Sequence, residues 1–239
     1  MDDQDALDME LDSLRDELDE ARAALGPIRN PSKRRPDMPM RFNHADKIEQ
    51  HLQEDGHRVW GLVIYRCTYE SDDEWDQFME RLRATINKSL EFWNGLDMLD
   101  SLRLTVLEDR AFNGVSTSVI RQKFRPWVET APLEEQGTGP AYSQRYRYCI
   151  MVDEAALRSV LDNADDYKGF VNVVYAAWDS IRDCEHDDEE EEEHIEGCTL
   201  RDVGWMTCFR QVMVATYDNL RDLNSWSLEY RRPPEILIN

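Results

Sequence analysis

Two cysteines and two histidines share one short stretch, Asp183 to Cys198, reading DCEHDDEEEEEHIEGC. Cys184, His186, His194 and Cys198 form a Cys2His2 set, the chemistry that holds zinc tetrahedrally through thiolate and imidazole. Their spacing departs from that of zinc fingers, and the seven residues between the histidines are all carboxylates. A run of like charges repels itself and favours an expanded, solvated chain. The expectation is therefore an acidic loop over 183–197. Its Asp187, Asp188, Glu189, Glu190, Glu191, Glu192 and Glu193 offer a field to a basic protein partner, and a metal is the minor alternative. No cofactor is expected.

A second set could read nucleic acid. Single-stranded RNA is recognised by aromatic side chains stacking on bases across an open sheet face, with basic residues nearby. Trp60, Tyr146 and Tyr148, with Arg145 and Arg147, are the candidates. The alternation that puts Tyr146 and Tyr148 on one face adds Ile150 and Val152 to it, which fits a packed face better, and no glycine-aromatic RNA-binding signature is present. Nucleic acid is disfavoured. Catalytic signatures are absent as well: there is no nucleophile elbow, no Gly-rich phosphate loop and no His-Glu-x-x-His pattern. His44 and His57 have no partner carboxylate fixed by spacing. No catalytic residues are assigned.

Charge locates the appendages that must surround these groups. The formal net charge is −22, of which residues 1–25 and 183–196 together carry −18. The remainder is close to neutral, so global acidity says little about its partners. Within 1–25, Leu7, Leu11, Leu14, Leu18 and Leu25 follow a heptad seam, with Ala21 between the last two. In a parallel pair, Glu10 would face Arg15 of the second copy and Glu17 would face Arg22, both opposite-charge contacts. The segment predicts a homodimer or a partner helix. A Pro-rich basic linker over 26–40 follows, carrying Lys33, Arg34 and Arg35 beside Ser32, whose phosphorylation would alter the local charge.

The domain proper is expected over 41–239. A strand in HRVWGLVIYRCTY precedes a helix opened by a Ser71/Glu74 capping box, whose apolar face is Trp75, Phe78, Met79, Leu82, Ile86, Leu90 and Trp93. LRLTVLED predicts a second strand and TSVIRQKFRPWV a short helix stopped or kinked at Pro126, with PLEEQGTGPAYS as loop. RYRYCIMVD predicts a third strand, a helix capped by Asp153 comes next, and GFVNVVYAAW makes the fourth strand. Residues 200–223 read as one long amphipathic helix, and the C-terminal SWSLEYRRPPEILIN as an extended segment. Two successive β-α-β units predict an α+β, ferredoxin-like split βαβ domain: a four-stranded antiparallel sheet with an inserted helix, an N-terminal heptad helix and a long C-terminal helix. Cys67 and Cys149 fall in the apolar strands as core thiols, and an odd total of five cysteines reads as reduced.

The segments WGLVIYRCTY, DEWDQFMERL, RYRYCIMVDEAALRSVL, GFVNVVYAAWD and VGWMTCFRQVMVATYDNL together resemble a large group of uncharacterised proteins from filamentous fungi, over roughly residues 57–230. That group has no assigned activity, so the resemblance implies no functional residues. With no run of about 18 apolar residues and an acidic N-terminus, a membrane span and a secretory leader are not expected. The location expected is intracellular, cytoplasmic or nuclear. The reading is a non-enzymatic interaction protein, with two alternatives: a small-molecule enzyme of dimeric α+β-barrel type, and an RNA-binding ferredoxin-like domain. A cavity of several hundred cubic ångströms with an inward carboxylate or histidine favours the enzyme.

Overall fold

The computed structural model describes residues 28–163, 168–179 and 192–238, together with Leu14. The chain divides into two compact units that meet in sequence between Asn43 and His44. In the first, residues 28–43 form a tight loop in which Ser32 Oγ accepts from the amides of Arg34 and Arg35 and from Asn43 Nδ2. Ser32 is only 2% exposed, so a kinase would have to open this loop first. Leu14, the one seam position described, is helical and half-exposed. Leu7, Leu11, Leu18, Leu25, Glu10, Arg15, Glu17 and Arg22 lie outside the described residues.

The second unit is α+β, built on a six-stranded mixed sheet ordered β2-β1-β3-β4-β5-β6. The strands are β1 (Val63–Arg66), β2 (Thr105–Glu108), β3 (Tyr148–Val152), β4 (Phe170–Tyr175), β5 (Trp205–Phe209) and β6 (Ile236–Leu237). β1 runs parallel to both β2 and β3, whereas β4 is antiparallel to β3 and to β5. This differs from the expected four-stranded antiparallel sheet. The residues themselves explain why: VIYR and YCIMV are buried at every position, the pattern of strands covered on both faces rather than one.

Helices on opposite faces provide that cover. On one face α2 (Asp72–Phe92) packs Trp75, Phe78, Leu82, Ile86 and Leu90 against Ile64, Ile150 and Val152. Its start shows half of the expected capping box, Ser71 Oγ accepting from the Glu74 amide, while the Glu74 carboxylate turns to Arg158. Also on this face are α1 (His44–Asp55), α4 (Glu154–Leu161) and α5 (Met213–Asn219). On the other face α3 (Thr117–Gln136) packs Ile120 and Phe124 against Val63, Tyr65, Cys149 and Met151.

α3 corrects a second expectation, because it runs through Pro126 and Pro132 to end at Gly137, whose φ is 76°. Proline removes a helix amide and normally breaks the helix. Here the last turn is held by tertiary bonds. Gln136 Oε1 accepts from the amides of Arg58 and Val59, and its Nε2 donates to Val59 O. Arg145 forks onto Glu135 at 2.7 and 2.8 Å and also donates to Arg103 O and Thr105 Oγ1. One guanidinium thus joins α3, β2 and the turn that enters β3.

A third correction concerns 200–223, where Trp205–Phe209 is a strand paired with β4 and only Met213–Asn219 is α-helical, after a 3-10 turn at Arg210–Val212. The C-terminal segment holds a short helix, α6 (Ser225–Glu229), before β6. No helix among the described residues is long and apolar enough to cross a membrane.

Burial pulls the Glu135 carboxyl upward, but the hydrogen bonds from Arg145 outweigh it and hold the group below its ordinary 4.5. A depressed carboxyl stabilises fully above its unfolded value and loses that contribution as pH falls through the folded one. The stability this carboxyl contributes should therefore begin to fall as pH drops below about 4.5, and a Glu135→Gln variant should be less sensitive in that range. Arg145→Leu should cost about 3–5 kcal/mol, because it strands a carboxylate whose side chain is only 12% exposed. Calorimetry should then record a drop in unfolding temperature of roughly 6–20 °C, with Arg145→Leu/Glu135→Leu recovering part of it. A loss below about 1 kcal/mol would remove this hub from the account.

Candidate functional site: the cleft where the strand order reverses

In the chain's path, α2 carries β1 to β2 across one face, and α3 then carries β2 past β1 to β3 across the other. The chain leaves the carboxyl ends of both β1 and β3 towards the same face, into α2 and α4, and a crevice is left beside these ends on the α3 face. Open α/β sheets bind ligands outside the carboxyl ends of their strands. The crevice is present as an open cleft of about 410 Å³, within the size range of small-molecule sites.

Its lining follows from strand alternation. Cys67 just past β1, Met151 of β3 and Asn172 of β4 project towards the α3 side, and Trp205 of β5 closes the far wall. Thr68 and Glu70 come from the loop after β1, Asp153 and Glu154 from the start of α4, Thr117 from the start of α3, and Glu196 from the segment before β5. Four carboxylates line the space, with no lysine, arginine or histidine among the lining residues.

Each carboxylate is held differently. Asp153 caps α4, accepting from the Ala156 amide at 2.8 Å, while its second oxygen receives Asn172 Nδ2 at 3.2 Å. Glu154 accepts from Thr68 Oγ1 and from Arg158 Nε, and these bonds hold its carboxyl below the usual range. Arg158 also forks onto Glu74 at 2.6 Å, tying α4 to α2.

Glu196 completes the N-terminus of α3. Ser116, at the capping position, makes no side-chain cap. Instead the Thr117 amide donates to Glu196 Oε1 at 3.0 Å and the Thr117 hydroxyl to Oε2 at 2.6 Å. Glu196 and Gly197 have φ of 49° and 82°, and Ile195 and Cys198 exchange both backbone bonds across them. That is a two-residue hairpin of the kind left-handed backbone favours. Its tip delivers a negative charge to the positive end of a 20-residue helix. Behind the tip a second space of about 340 Å³ opens between Arg121, Trp178 and Val203. Thr117, Glu196 and Trp205 border both.

Cysteine chemistry is not what the cleft supplies. Burial, reinforced by Asp153, pushes the Cys67 thiol up to about 12, so it stays protonated at neutral pH. Cys149 is raised by burial too.

The sequence candidates lie elsewhere. Trp60, Tyr146, Tyr148 and Arg145 are all buried, at 2, 2, 6 and 1% exposure. Arg147 donates to the carbonyls of Leu220 and Arg221 and lies over the Tyr148 ring. With helices over both faces, these residues present no open stacking surface. Glu192 and Glu193 are exposed, and Arg232 holds the Glu193 carbonyl. Asp187, Asp188, Glu189, Glu190 and Glu191 lie outside the described residues, as do Cys184 and His186. His194 is exposed and Cys198 half-buried. Among the described residues no three His, Cys, Asp or Glu side chains gather as a metal site.

His44 does have a carboxylate partner, which spacing could not reveal because it lies 174 residues away. Asp218, fully buried, accepts from His44 Nδ1 at 2.6 Å and Lys47 Nζ at 2.7 Å, with His51 Nδ1 at 3.6 Å from its other oxygen. This cluster fastens α1 to α5. His57 is buried, with Nε2 donating to the Gly139 carbonyl. Neither histidine reaches the cleft.

Glu196→Asn keeps a residue suited to left-handed backbone but withdraws the carboxylate from α3. Loss of such a cap is worth about 0.5–2 kcal/mol, so amide exchange at Thr117, Ile195 and Cys198 should quicken roughly 2- to 30-fold, with β1 and β3 unaffected; unchanged exchange at Thr117 would mean the contact does not hold the hairpin. No protein-family model, curated protein or solved structure matches the chain, so what the cleft does must be argued from its own geometry.

Proposed function

We propose that the chain is a binding domain for small amine- or guanidinium-bearing molecules, seated in the cleft between the carboxyl ends of β1 and β3. One observation carries this reading. At the position where such sheets take ligands, four carboxylates and an indole line a solvent-open space with no basic residue among the lining residues. Carboxylates accept from ammonium and guanidinium groups in short, charge-assisted hydrogen bonds. An indole face adds attraction for the same cations. Asn172, Thr68 and the backbone after Asn113 supply neutral polar contacts that would orient the ligand.

The test is thermal unfolding with spermidine, putrescine, arginine or calcium chloride, against acetate and sulfate. Occupancy at a hundred times the dissociation constant is worth about 2.7 kcal/mol, a rise of roughly 5–10 °C for a chain of this size. The amines should raise the transition in the native protein and much less in Glu70→Lys, which alters an exposed lining residue. Asp73→Lys, on the exposed start of α2, is the control for general charge. Equal rises in both variants would sink the cleft reading.

A second reading, self-association through residues 1–25, is favoured by the pairing of Glu10 with Arg15 and of Glu17 with Arg22 across the leucine seam. Light scattering should give the full chain twice the particle mass, per chain, of one beginning at Pro27. Equal values would end it.

A further inference from the structure

Among the described residues β2 is the last strand of the sheet on its side and pairs only with β1. The amides of Arg103 and Thr105 donate to Trp60 O and Leu62 O. By alternation, the N–H and C=O groups of Leu104, Val106 and Glu108 point away from the sheet. Edge strands are usually blunted by lysine, proline or a bulge. None interrupts Thr105–Glu108.

Beside this edge runs a groove of about 580 Å³ between β2 and α2. Trp75, Met79 and Val106 form its apolar floor, and Asp76, Glu80 and Glu108 stand on its rim against the single cation Arg83. Asp76 and Glu80, both exposed, are one helical turn apart, on the side of α2 that borders the groove. An unpaired strand edge next to a helix-walled groove is the arrangement by which an extended peptide joins a sheet: main-chain bonds supply affinity and alternate side chains enter the groove.

We propose that this edge binds an extended segment of a partner protein as a seventh strand beside β2, with lysine or arginine side chains meeting Asp76, Glu80 and Glu108 and apolar ones resting on Val106 and Met79. Basic side chains suit this rim because, with Glu108 paired to Arg66, the exposed Asp76 and Glu80 still outnumber Arg83 two to one. The site is independent of the cleft between β1 and β3.

Val106→Pro supplies the decisive variant. The Val106 amide faces outward, so proline there removes a docking donor without removing a bond to β1, the position where edge strands tolerate it. The probe is a fluorescent octapeptide alternating valine and lysine, titrated into the full-length chain and followed by anisotropy and by amide shifts of residues 104–108. A matched valine–glutamate peptide is the comparison. The lysine peptide should bind at least tenfold more tightly than the glutamate peptide, perturb the 104–108 amides, and lose at least tenfold on Val106→Pro and on Asp76→Lys/Glu80→Lys. Binding that Val106→Pro leaves unchanged would mean the peptide is held by general acidity elsewhere, and would overturn the proposal. So would failure of both peptides to bind, or light scattering showing that Val106→Pro converts a dimer to a monomer, since β2 would then pair with a second copy. Asp76→Lys/Glu80→Lys leaves the edge backbone intact and serves should Val106→Pro fail to fold.

Discussion

The buried pairing of Arg145 with Glu135 holds the architecture at its least self-sufficient point. A guanidinium with 1% residue exposure is costly to desolvate, and such a pair is stabilising only when every donor finds an acceptor. Arg145 meets that condition with Glu135, two backbone carbonyls and Thr105 Oγ1. Those acceptors belong to the last turn of α3, the segment beside β1 and the entry to β2. The contact therefore fixes how the helix covering one face is phased against the parallel strands beneath it. Because α3 must cross from β2 to β3 over β1, it also lays the start of that helix beside the carboxyl ends of β1 and β3.

The cleft is a consequence of that crossing. Its walls are the starts of α3 and α4, and both starts carry acidic side chains. Asp153 is local to α4, a cap within the same stretch of chain. Glu196 arrives from 79 residues away to cap α3. The two helices thus have their positive ends neutralised by the protein's own carboxylates, which disfavours anionic ligands and leaves acceptors turned to solvent. Trp205 adds an apolar wall, and burial keeps the Cys67 thiol protonated. The β2 edge stands apart from this chemistry, offering backbone and an acidic rim instead of an enclosed floor.

Parts of this were legible from local pattern. Ser71 and Glu74 announced the start of α2, and its apolar face was read residue by residue, since a capped helix with a 3.6-residue period encodes its own boundaries and orientation. Asp153 as a cap, and Cys67 and Cys149 as core thiols, belong to the same class. Other segments misled for identifiable reasons. Met206, Phe209, Met213 and Tyr217 happen to keep helical spacing, yet Trp205–Phe209 gains more as a strand against β4. Pro126 argued for a stop or kink, and PLEEQ for a loop, which the bonds of Gln136 and Glu135 override. Tyr146 and Tyr148 read as one packed face of a strand, and both rings are buried, but Tyr146 lies in the turn before β3.

By itself the sequence determined element type where the signal was local: the α2 cap and face, the apolar runs that become β1, β3 and β4, and the concentration of charge in two short segments. Only the tertiary structure decided the strand order, the parallel pairing of β1 with β2 and β3, the cleft that follows from it, and the meetings of Glu196 with Thr117 and of Asp218 with His44. The physical reason is that period and capping act within a few residues. Strand order and long-range ion pairs are chosen by burial on both sheet faces at once, which no window of sequence contains.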